Sequence, residues 1–365
     1  MYIILILHNL FTAQYRIASY LTLCTLKPIP RMLHSFTSRK VGTLAVPRIL
    51  RLASAAVGLL FLLPGCAEDG TIPNPFLPAK ITVNQAGVSP EGVQYDELNQ
   101  RFLVSSRTQG RLGAVKDDGT YTVFADDPRL ISTIGINLDV SRHRVIAAVS
   151  DNGANTARST PATLGKLAAV AIFNSNNGSL INYVDLGALR PALRHFANDI
   201  AVDIEGNAYI TDSFAPIIYK VDKQGNASVF LEDPQLGATT GFGLNGIVYH
   251  PDGYLIAAKA GEGVLFKIPI SNPKSFTRVV SSQSVVGADG LLLLTPQTIL
   301  LVSGSQSTVF RLTSTDSWAT TRSTGSFPTG PTSPTTITRR SLTDAYVLYP
   351  YQATSPRFEI TKVSF

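Results

Sequence analysis

Four oxygen-bearing side chains recur at one position of a repeated phrase in the sequence. The phrase begins with a polar residue in most copies, usually continues with glycine, and leads into alternating aliphatic or aromatic residues. The first positions of successive copies are separated by 43, 64, 47, 44 and 46 residues. In chain order, these first positions are Glu91, Ile134, Asn198, Asn245, Asp289 and Thr335. Two carboxylates and two carboxamides therefore stand in register, with no thiol or imidazole among them.

This set of donors suits a hard divalent cation. Calcium takes six to eight oxygen ligands from carboxylates, amide carbonyls and water, whereas magnesium demands a tighter octahedron and is the second choice. Glu91 and Asp289 would neutralise the ion, and Asn198 and Asn245 would add carbonyl oxygens. The alternative is that Asn and Asp stand here only because they favour the turns that begin strands.

The spacing of the phrases predicts the elements that would bring these side chains together. In the third copy, the phrase is followed by strand-like segments at 208–212, 217–221 and 227–230, separated by turns. Four strands in roughly 45 residues, repeated, are typical of a β-propeller blade. The sequence thus predicts an all-β, six-bladed β-propeller with four-stranded blades. The first positions of the phrases would then surround one end of its central channel.

Two further segments fit this architecture. The polar, turn-rich segment 150–159 accounts for the long step after the second phrase and is predicted to be a surface loop. Residues 80–83 are predicted to pair with 357–363 and so close the ring in the last blade.

The N-terminal region is typical of an export signal. A 12-residue apolar run at 52–63 follows the basic residues Arg39, Lys40, Arg48 and Arg51 and precedes Cys66. We therefore expect a mis-assigned start or leader at 1–31, a lipoprotein-like signal peptide at 32–66 with lipidation at Cys66, a linker at 67–79 and the propeller at 80–365. An ordinary cleaved signal is the alternative. The protein would be a periplasmic or cell-surface lipoprotein, otherwise secreted, in contact with a membrane through a lipid anchor only.

Charge and metal-ligand counts exclude other classes. The formal charge of +6 arises from 1–66, which holds seven basic and no acidic residues, so 67–365 is close to neutral. A neutral domain lacks the basic surface that nucleic-acid binding needs. The body has no cysteine, and its three histidines, His143, His195 and His250, are not spaced like a zinc motif.

Phrases of this kind, in this order, resemble those of the gluconolactonase and senescence-marker-protein (regucalcin) family. The phrases are Pro90-Glu91-Gly92, Asn198-Asp199, Asn245-Gly246 and Asp289-Gly290, and the resemblance extends over about residues 81–365. It implies a calcium or other divalent ion held by Glu91, Asn245 and Asp289, with Asn198 added as in the related calcium-dependent phosphotriesterases.

The chain departs from the family at Phe196, where an arginine often stands, and at Val93, where proline is usual. The resemblance therefore does not extend to sugar-lactone specificity. We expect the neighbouring Arg194 and His195 at a strand edge or on the surface.

These observations favour an enzyme: a calcium-dependent hydrolase of lactones or related esters. The metal would polarise the substrate carbonyl, and Asp289 would act as general base or nucleophile. Phe196, Ile134 and Thr335 are the expected contacts of a small-molecule substrate.

Two other functions remain open at this point. The first is a non-catalytic propeller that binds a ligand or protein and keeps the metal as a structural element; Phe196, Ile134 and Phe242 would suit an apolar ligand. The second is a metal-free propeller resembling strictosidine synthase, which would not require the four oxygen donors.

Overall fold

The computed structural model describes residues 77–239, 241–351 and 355–365. These residues belong to one unit of the chain, Ile72–Phe365. The leader, the signal segment with Cys66 and most of the 67–79 linker lie outside them and stay predictions. Within the described residues, no helix has both the length and the apolar character needed to cross a membrane.

Short strands joined by turns make up most of the described chain. In chain order the strands are β1 (Lys80–Val83), β2 (Val93–Asp96), β3 (Arg101–Val104), β4 (Leu112–Val115), β5 (Tyr121–Ala125), β6 (Ser132–Asp139), β7 (Arg144–Ser150), β8 (Ala168–Asn174), β9 (Leu180–Asp185), β10 (Ala197–Val202), β11 (Ala208–Asp212), β12 (Ile217–Val221), β13 (Ala227–Glu232), β14 (Leu244–His250), β15 (Tyr254–Lys259), β16 (Val264–Pro269), β17 (Thr277–Ser281), β18 (Ala288–Thr295), β19 (Thr298–Ser303), β20 (Thr308–Thr313), β21 (Thr320–Pro328), β22 (Ile337–Arg339), β23 (Ala345–Tyr349) and β24 (Phe358–Val363). Four single-turn 3₁₀ helices lie between them, at Val140–Arg142, Gly187–Leu189, Pro234–Leu236 and Pro273–Ser275.

The strands form an all-β, propeller-like fold, which confirms the predicted class. Four sheets have four strands each, in the orders β2-β3-β4-β5, β6-β7-β8-β9, β10-β11-β12-β13 and β1-β24-β23-β22. The other eight strands form a single sheet, whereas the sequence predicts separate four-stranded sheets throughout. The reason is a short parallel pairing between β17 and β21, at Val280 with Thr320 and at Ser281 with Thr321, which joins two antiparallel units by their outer strands.

Six strands, here called the inner strands, contact one another in a closed cycle. They are β2, β6, β10, β14, β18 and β22, and each contacts the next, with β22 contacting β2 again. Every phrase found in the sequence lies at the beginning of an inner strand. We call the end at which the inner strands begin the site end, and the end at which they finish, with the turns that follow, the turn end.

The ring is closed by strands from both ends of the described chain. β1 pairs antiparallel with β24, with Lys80 opposite Thr361 and Val83 opposite Phe358. The predicted pairing of these two segments is therefore observed. β1 is the outermost strand of its sheet, and its first residue lies at the turn end.

The hydrophobic core lies between neighbouring sheets. One cluster joins Ile146 and Val170 of the second sheet to Ile210 and Tyr219 of the third, and all four side chains are buried. Successive side chains of a strand point to opposite faces of its sheet. Both faces carry apolar residues, because each sheet packs against a neighbour on either side. Packing between sheets thus holds the inner strands in their cycle.

Hydrogen bonds to buried side chains anchor the loop predicted at 150–159. Ser150 ends β7, and the connection to β8 runs from 151 to 167. The buried Asp151 carboxylate accepts hydrogen bonds from the hydroxyls of Ser159 (2.8 Å) and Thr163 (2.7 Å). The buried Asn155 donates to the Ile131 carbonyl at 2.7 Å. These hydrogen bonds fix the connection at the site end.

Candidate functional site

Close contacts between inner strands explain the glycine in the repeated phrase. A Cβ atom on Gly92, Gly135, Gly246 or Gly290 would come within 3.0 Å of the next inner strand. At Gly92 the obstructing atom is the Ile134 carbonyl oxygen, and at Gly246 it is the Asp289 carbonyl oxygen. Glycine is thus needed where adjacent strands converge, and this convergence brings the first positions of successive phrases together.

Glu91 and Asp289 are two half-buried carboxylates, and the charge of Glu91 acts on Asp289. Burial, followed by the negative charge of Asp199, raises the pKa of Glu91 to about 8, against a smaller opposing effect of the Arg107 guanidinium. Burial and the charges of Glu91 and Asp199 raise the pKa of Asp289 well above its usual range, while the Asn245 amide and Arg107 oppose the rise. Like charges in a poorly solvated site are costly, so this pair favours a proton or a cation between them.

Asn198 and Asn245 present carboxamide oxygens without partners. The Asn198 amide nitrogen donates to the Ser213 hydroxyl at 2.9 Å, and that hydroxyl donates to the Leu244 carbonyl at 2.5 Å. The Oδ1 atoms of Asn198 and Asn245 are both buried and accept no hydrogen bond. A buried polar atom of this kind requires an explanation, because burial without a partner costs free energy. A bound cation is one ligand that would give these two carbonyl oxygens a partner.

Asp199 is a site residue that the repeat analysis missed. It occupies the glycine position of its phrase, and its carboxylate accepts the backbone amides of Ile200 (2.8 Å) and Ile247 (3.2 Å). The side chain thereby links β10 to β14 where the other phrases use a close backbone contact. Burial raises the pKa of Asp199 to about 7, although both amides act against the rise.

Arg107 is the second residue that sequence reasoning missed. It lies in the turn between β3 and β4, outside the phrase, so its spacing carries no signal. Its Nη2 donates to the Ser89 hydroxyl at 2.8 Å, and its Nε is buried without a partner. Its charge lowers the pKa of both Glu91 and Asp289, so its guanidinium is near enough to act on both carboxylates.

The candidate donors are all oxygen atoms, which is the set that a hard cation such as calcium binds. No three His, Cys, Asp or Glu side chains among the described residues are grouped to hold a metal ion. A site here would therefore depend on the carboxamides as well as the carboxylates. Calcium accepts such a mixed oxygen set.

The remaining ring positions, Ile134 and Thr335, have structural contacts. The Ile134 side chain is buried in the cluster between the second and third sheets. The Thr335 hydroxyl donates to the Glu91 carbonyl at 2.8 Å, and the Thr335 carbonyl accepts the Gly290 amide at 2.8 Å. Thr335 therefore holds the ring together on both sides of β22, and its hydroxyl is already engaged.

Three phenylalanine rings pack together beside Asn198. The ring centroids of Phe196 and Phe214 are 5.3 Å apart, and Phe242 lies 5.5 Å from each of them. Phe214 directly follows Ser213, which orients Asn198. Phe196 is buried, whereas 42% of Phe242 is exposed. We call these three rings the phenylalanine cluster; Phe214 was not anticipated from the sequence.

A buried network holds the chain around this cluster, and it corrects the expectation for His195. His195 is 1% exposed, and its Nδ1 lies 2.8 Å from Asp212 Oδ2. Asp212 Oδ1 accepts the backbone amides of Phe196 and Phe214. Burial is the largest single effect and lowers the pKa of His195, but the hydrogen bonds to Asp212 and the Arg190 carbonyl, together with the charges of Asp212 and Asp185, raise it overall. Arg194 is exposed as expected, with its guanidinium 4.9 Å from the Phe214 ring centre.

Comparisons with known proteins identify the fold. No protein-family model and no curated protein matches this sequence. The crystal structure of the major Malassezia sympodialis allergen Mala s 1 is similar at 17% identity and a TM-score of 0.65, over 79% of this chain and 96% of that chain. A gluconolactonase from Xanthomonas campestris is similar at 15% identity and a TM-score of 0.53, over 77% and 88%. A luciferin-regenerating enzyme is similar at 11% identity and a TM-score of 0.54, over 78% and 95%.

At these identities the similarity shows a shared fold. The neighbours are an allergen, a lactonase and a regenerating enzyme, so one architecture carries different activities. Function has to be argued from the side chains of the site.

Proposed function

We propose that this protein is a calcium-dependent hydrolase of lactones or related esters, built on a six-bladed β-propeller. The observation that carries the proposal is the pair of buried, unpartnered carboxamide oxygens on Asn198 and Asn245. They lie at the same end of the inner strands as Glu91 and Asp289, whose pKa values are raised. A cation would satisfy both oxygens and offset both negative charges.

The strand order supports the count of six blades. The eight-stranded sheet divides at the parallel pairing of β17 with β21 into β14–β17 and β18–β21. Each half is a four-stranded antiparallel unit like the other four sheets, and each contributes one inner strand to the cycle.

Glu91, Asn198, Asn245 and Asp289 would hold the calcium ion. When bound, the ion would supply Lewis-acid polarisation of a substrate carbonyl. Ser213 fixes the Asn198 amide so that its oxygen, and not its nitrogen, remains available. Thr335 and the phrase glycines hold the strands close enough for the four donors to share one end of the channel.

Asp289 is the residue proposed to act on the substrate, as general base toward water or as nucleophile. A carboxylate with a raised pKa accepts a proton more readily near neutral pH than an ordinary aspartate. Arg107 has a buried Nε–H without a partner and would donate it to an oxygen that gains negative charge during hydrolysis.

The phenylalanine cluster supports an apolar ester or lactone as substrate. Phe196 stands where the resembling lactonases often carry an arginine, and Phe242 offers an exposed aromatic face. An aromatic or aliphatic group would pack there better than a sugar acid.

Export with lipid attachment at Cys66 is part of the proposal. Its support is the sequence alone, in the basic residues before the apolar run at 52–63 and the cysteine that follows.

The experiment that tests the function compares Asp289→Ala with Asp252→Ala. Asp252 is a matched control because its carboxylate is 69% exposed at the turn end. Chelated protein would be titrated with CaCl₂ by calorimetry and assayed on an aliphatic lactone, an aryl ester and an organophosphate triester. We expect calcium binding and calcium-dependent hydrolysis in the wild type and in Asp252→Ala. Asp289→Ala should lose hydrolysis and keep its circular dichroism spectrum. An Asp289→Ala protein of full activity would refute the assignment.

A second candidate is a non-catalytic propeller that binds an apolar ligand and keeps calcium as a structural ion. The phenylalanine cluster supports this binding function as much as it supports an apolar substrate. Calcium that raises the melting temperature, with no hydrolysis of any of the three substrates, would select this function.

A further inference from the structure

Exposed aliphatic side chains stand at the tips of four turns at the turn end. Each turn follows an inner strand, and the four belong to consecutive sheets around the ring. The residues, with their exposed fractions, are Leu342 (90%), Leu98 (63%), Val140 (48%) and Ile204 (82%). Turn tips normally carry polar residues or glycine, so four large aliphatic residues at equivalent places need a reason.

Hydrogen bonds between neighbouring turns fix these tips on one face. Arg340 donates to the Asp117 carboxylate at 2.6 Å, which joins the Leu342 turn to the sheet of Leu98. Arg101 donates to the Ser175 carbonyl at 2.7 Å, which joins that sheet to the sheet of Val140. Arg142 donates to the Ile204 carbonyl at 3.0 Å, which completes the series.

The chain reaches the propeller at this same face. β1 runs from the turn end toward the site end, so the described chain begins, near Leu77, at the turn end. The sequence before Leu77 contains the apolar run at 52–63. If that run is held at a membrane, the chain enters the propeller from the end that carries the aliphatic tips.

We infer that the turn end rests on a lipid bilayer through Leu98, Val140, Ile204 and Leu342, with the site end facing away from the membrane. Separate side chains on separate turns suit insertion between lipid head groups, where each can be buried independently. A protein partner would require one continuous apolar patch for a stable interface.

Charges beside the tips indicate the class of lipid. Arg142 and Arg340, beside two of the tips, are paired with Asp139 and Asp117. Exposed carboxylates lie beside the other two tips: Glu97 precedes Leu98, and Glu205 follows Ile204. These carboxylates would be repelled by anionic head groups. The surface therefore favours a zwitterionic membrane such as phosphatidylcholine.

Tryptophan substitution tests this orientation on the full chain. The sequence has one tryptophan, Trp318, which is 1% exposed and supplies a constant background. Ile204→Trp and Leu342→Trp would report on the turn end. Leu164→Trp and Val286→Trp would report on the site end, where these residues are 50% and 43% exposed. Each variant would be mixed with phosphatidylcholine vesicles that contain brominated lipid.

We expect quenching and a blue shift of the added tryptophan at 204 and 342, and neither at 164 and 286. The Ile204→Ser/Leu342→Ser protein should bind the vesicles at least about tenfold more weakly, because two buried aliphatic side chains are lost. Equal quenching at both ends, or quenching at the site end alone, would overturn the inference. Full binding of the vesicles by the double serine variant would also overturn it. So would binding of another protein to the turn end while the tryptophans at 204 and 342 stay unquenched. Because no assay here involves hydrolysis, the outcome is independent of the proposed function.

Discussion

Two polar clusters at opposite ends of the inner strands differ in how their side chains find partners. At the turn end, Arg144 donates to Asp139 at 2.6 Å and to the Gly206 carbonyl at 2.9 Å, so a buried charge pair is satisfied within the protein. At the site end, Asn198 and Asn245 keep unpartnered oxygens, and the pKa values of Glu91 and Asp289 are raised. The Arg144 cluster is thus complete within the protein, whereas the Asn198 and Asn245 oxygens have no partner within it.

The largest stability effect is expected from the turn end. Arg144→Ala would leave the Asp139 carboxylate buried without its main partner, at a cost of about 3–5 kcal/mol in the free energy of unfolding. Urea denaturation measures this value. The control is Arg190→Ala, whose exposed pair with Glu232 at 2.8 Å should contribute less than about 1 kcal/mol. Equal losses in both variants would show that burial does not make the Arg144–Asp139 pair the more important of the two.

The metal-free protein should lose stability as pH rises. The pKa of Glu91 is raised from 4.5 to about 8 in the folded protein, so the folded state binds more protons than the unfolded state between these values. Stability should therefore be fully present below about pH 4.5 and fall through pH 8 as this carboxyl ionises. The melting temperature of chelated protein, measured from pH 5 to pH 8.5, checks the slope.

Calcium should reverse this loss, because it binds the ionised carboxylates. The stabilisation that calcium gives should grow between pH 6 and pH 8.5, and Glu91→Gln should flatten both slopes. A melting temperature of chelated wild type that rises over this interval would contradict the account.

A smaller effect is expected from the residue that orients Asn198. Ser213→Ala removes the acceptor of the Asn198 amide, and we expect calcium affinity to fall about tenfold, as for other groups that orient metal ligands. Ser150→Ala is the matched control, because Ser150 makes the same kind of bond to a carbonyl, that of Ala197, at 2.7 Å. Calorimetry compares the two; an equal loss in Ser150→Ala would assign the effect to general loosening of the sheets.

The smallest effect is expected from the exposed edge of the phenylalanine cluster. Phe242→Ala should raise KM for an aryl ester about fivefold and leave a small aliphatic lactone unaffected, because only partial apolar contact is lost. Phe365→Ala, at an equally exposed ring of the turn end, should change neither. Steady-state kinetics on both esters would separate the outcomes.

The parts of the structure that could be predicted are those that repeat. The phrases locate every inner strand, and the paired segments 80–83 and 357–363 were found because a ring must be closed. The all-β class followed from strands and turns of regular length. In these cases one physical requirement, the packing of adjacent sheets, applies to every repeat and so produces the same sequence pattern each time.

The parts that were missed depend on exceptions to the repeat. Asp199 replaces a glycine and uses its carboxylate to bridge strands, which no spacing reveals. Arg107 reaches the site from a turn whose sequence differs between sheets. The pairing of β17 with β21 involves two residues of each strand, too few to leave a pattern. His195 can be buried because the Asp212 carboxylate accepts a hydrogen bond from its ring, a contact between residues on different elements.

The pairing of β1 with β24 has a consequence for how the protein is made. A ribosome releases β1 before, and β24 after, every inner strand, so a nascent chain has all six inner strands before it can complete its final sheet. Until then the apolar faces beside the gap stay open to water and to chaperones. A truncation that removes β24 therefore acts on the last step of assembly.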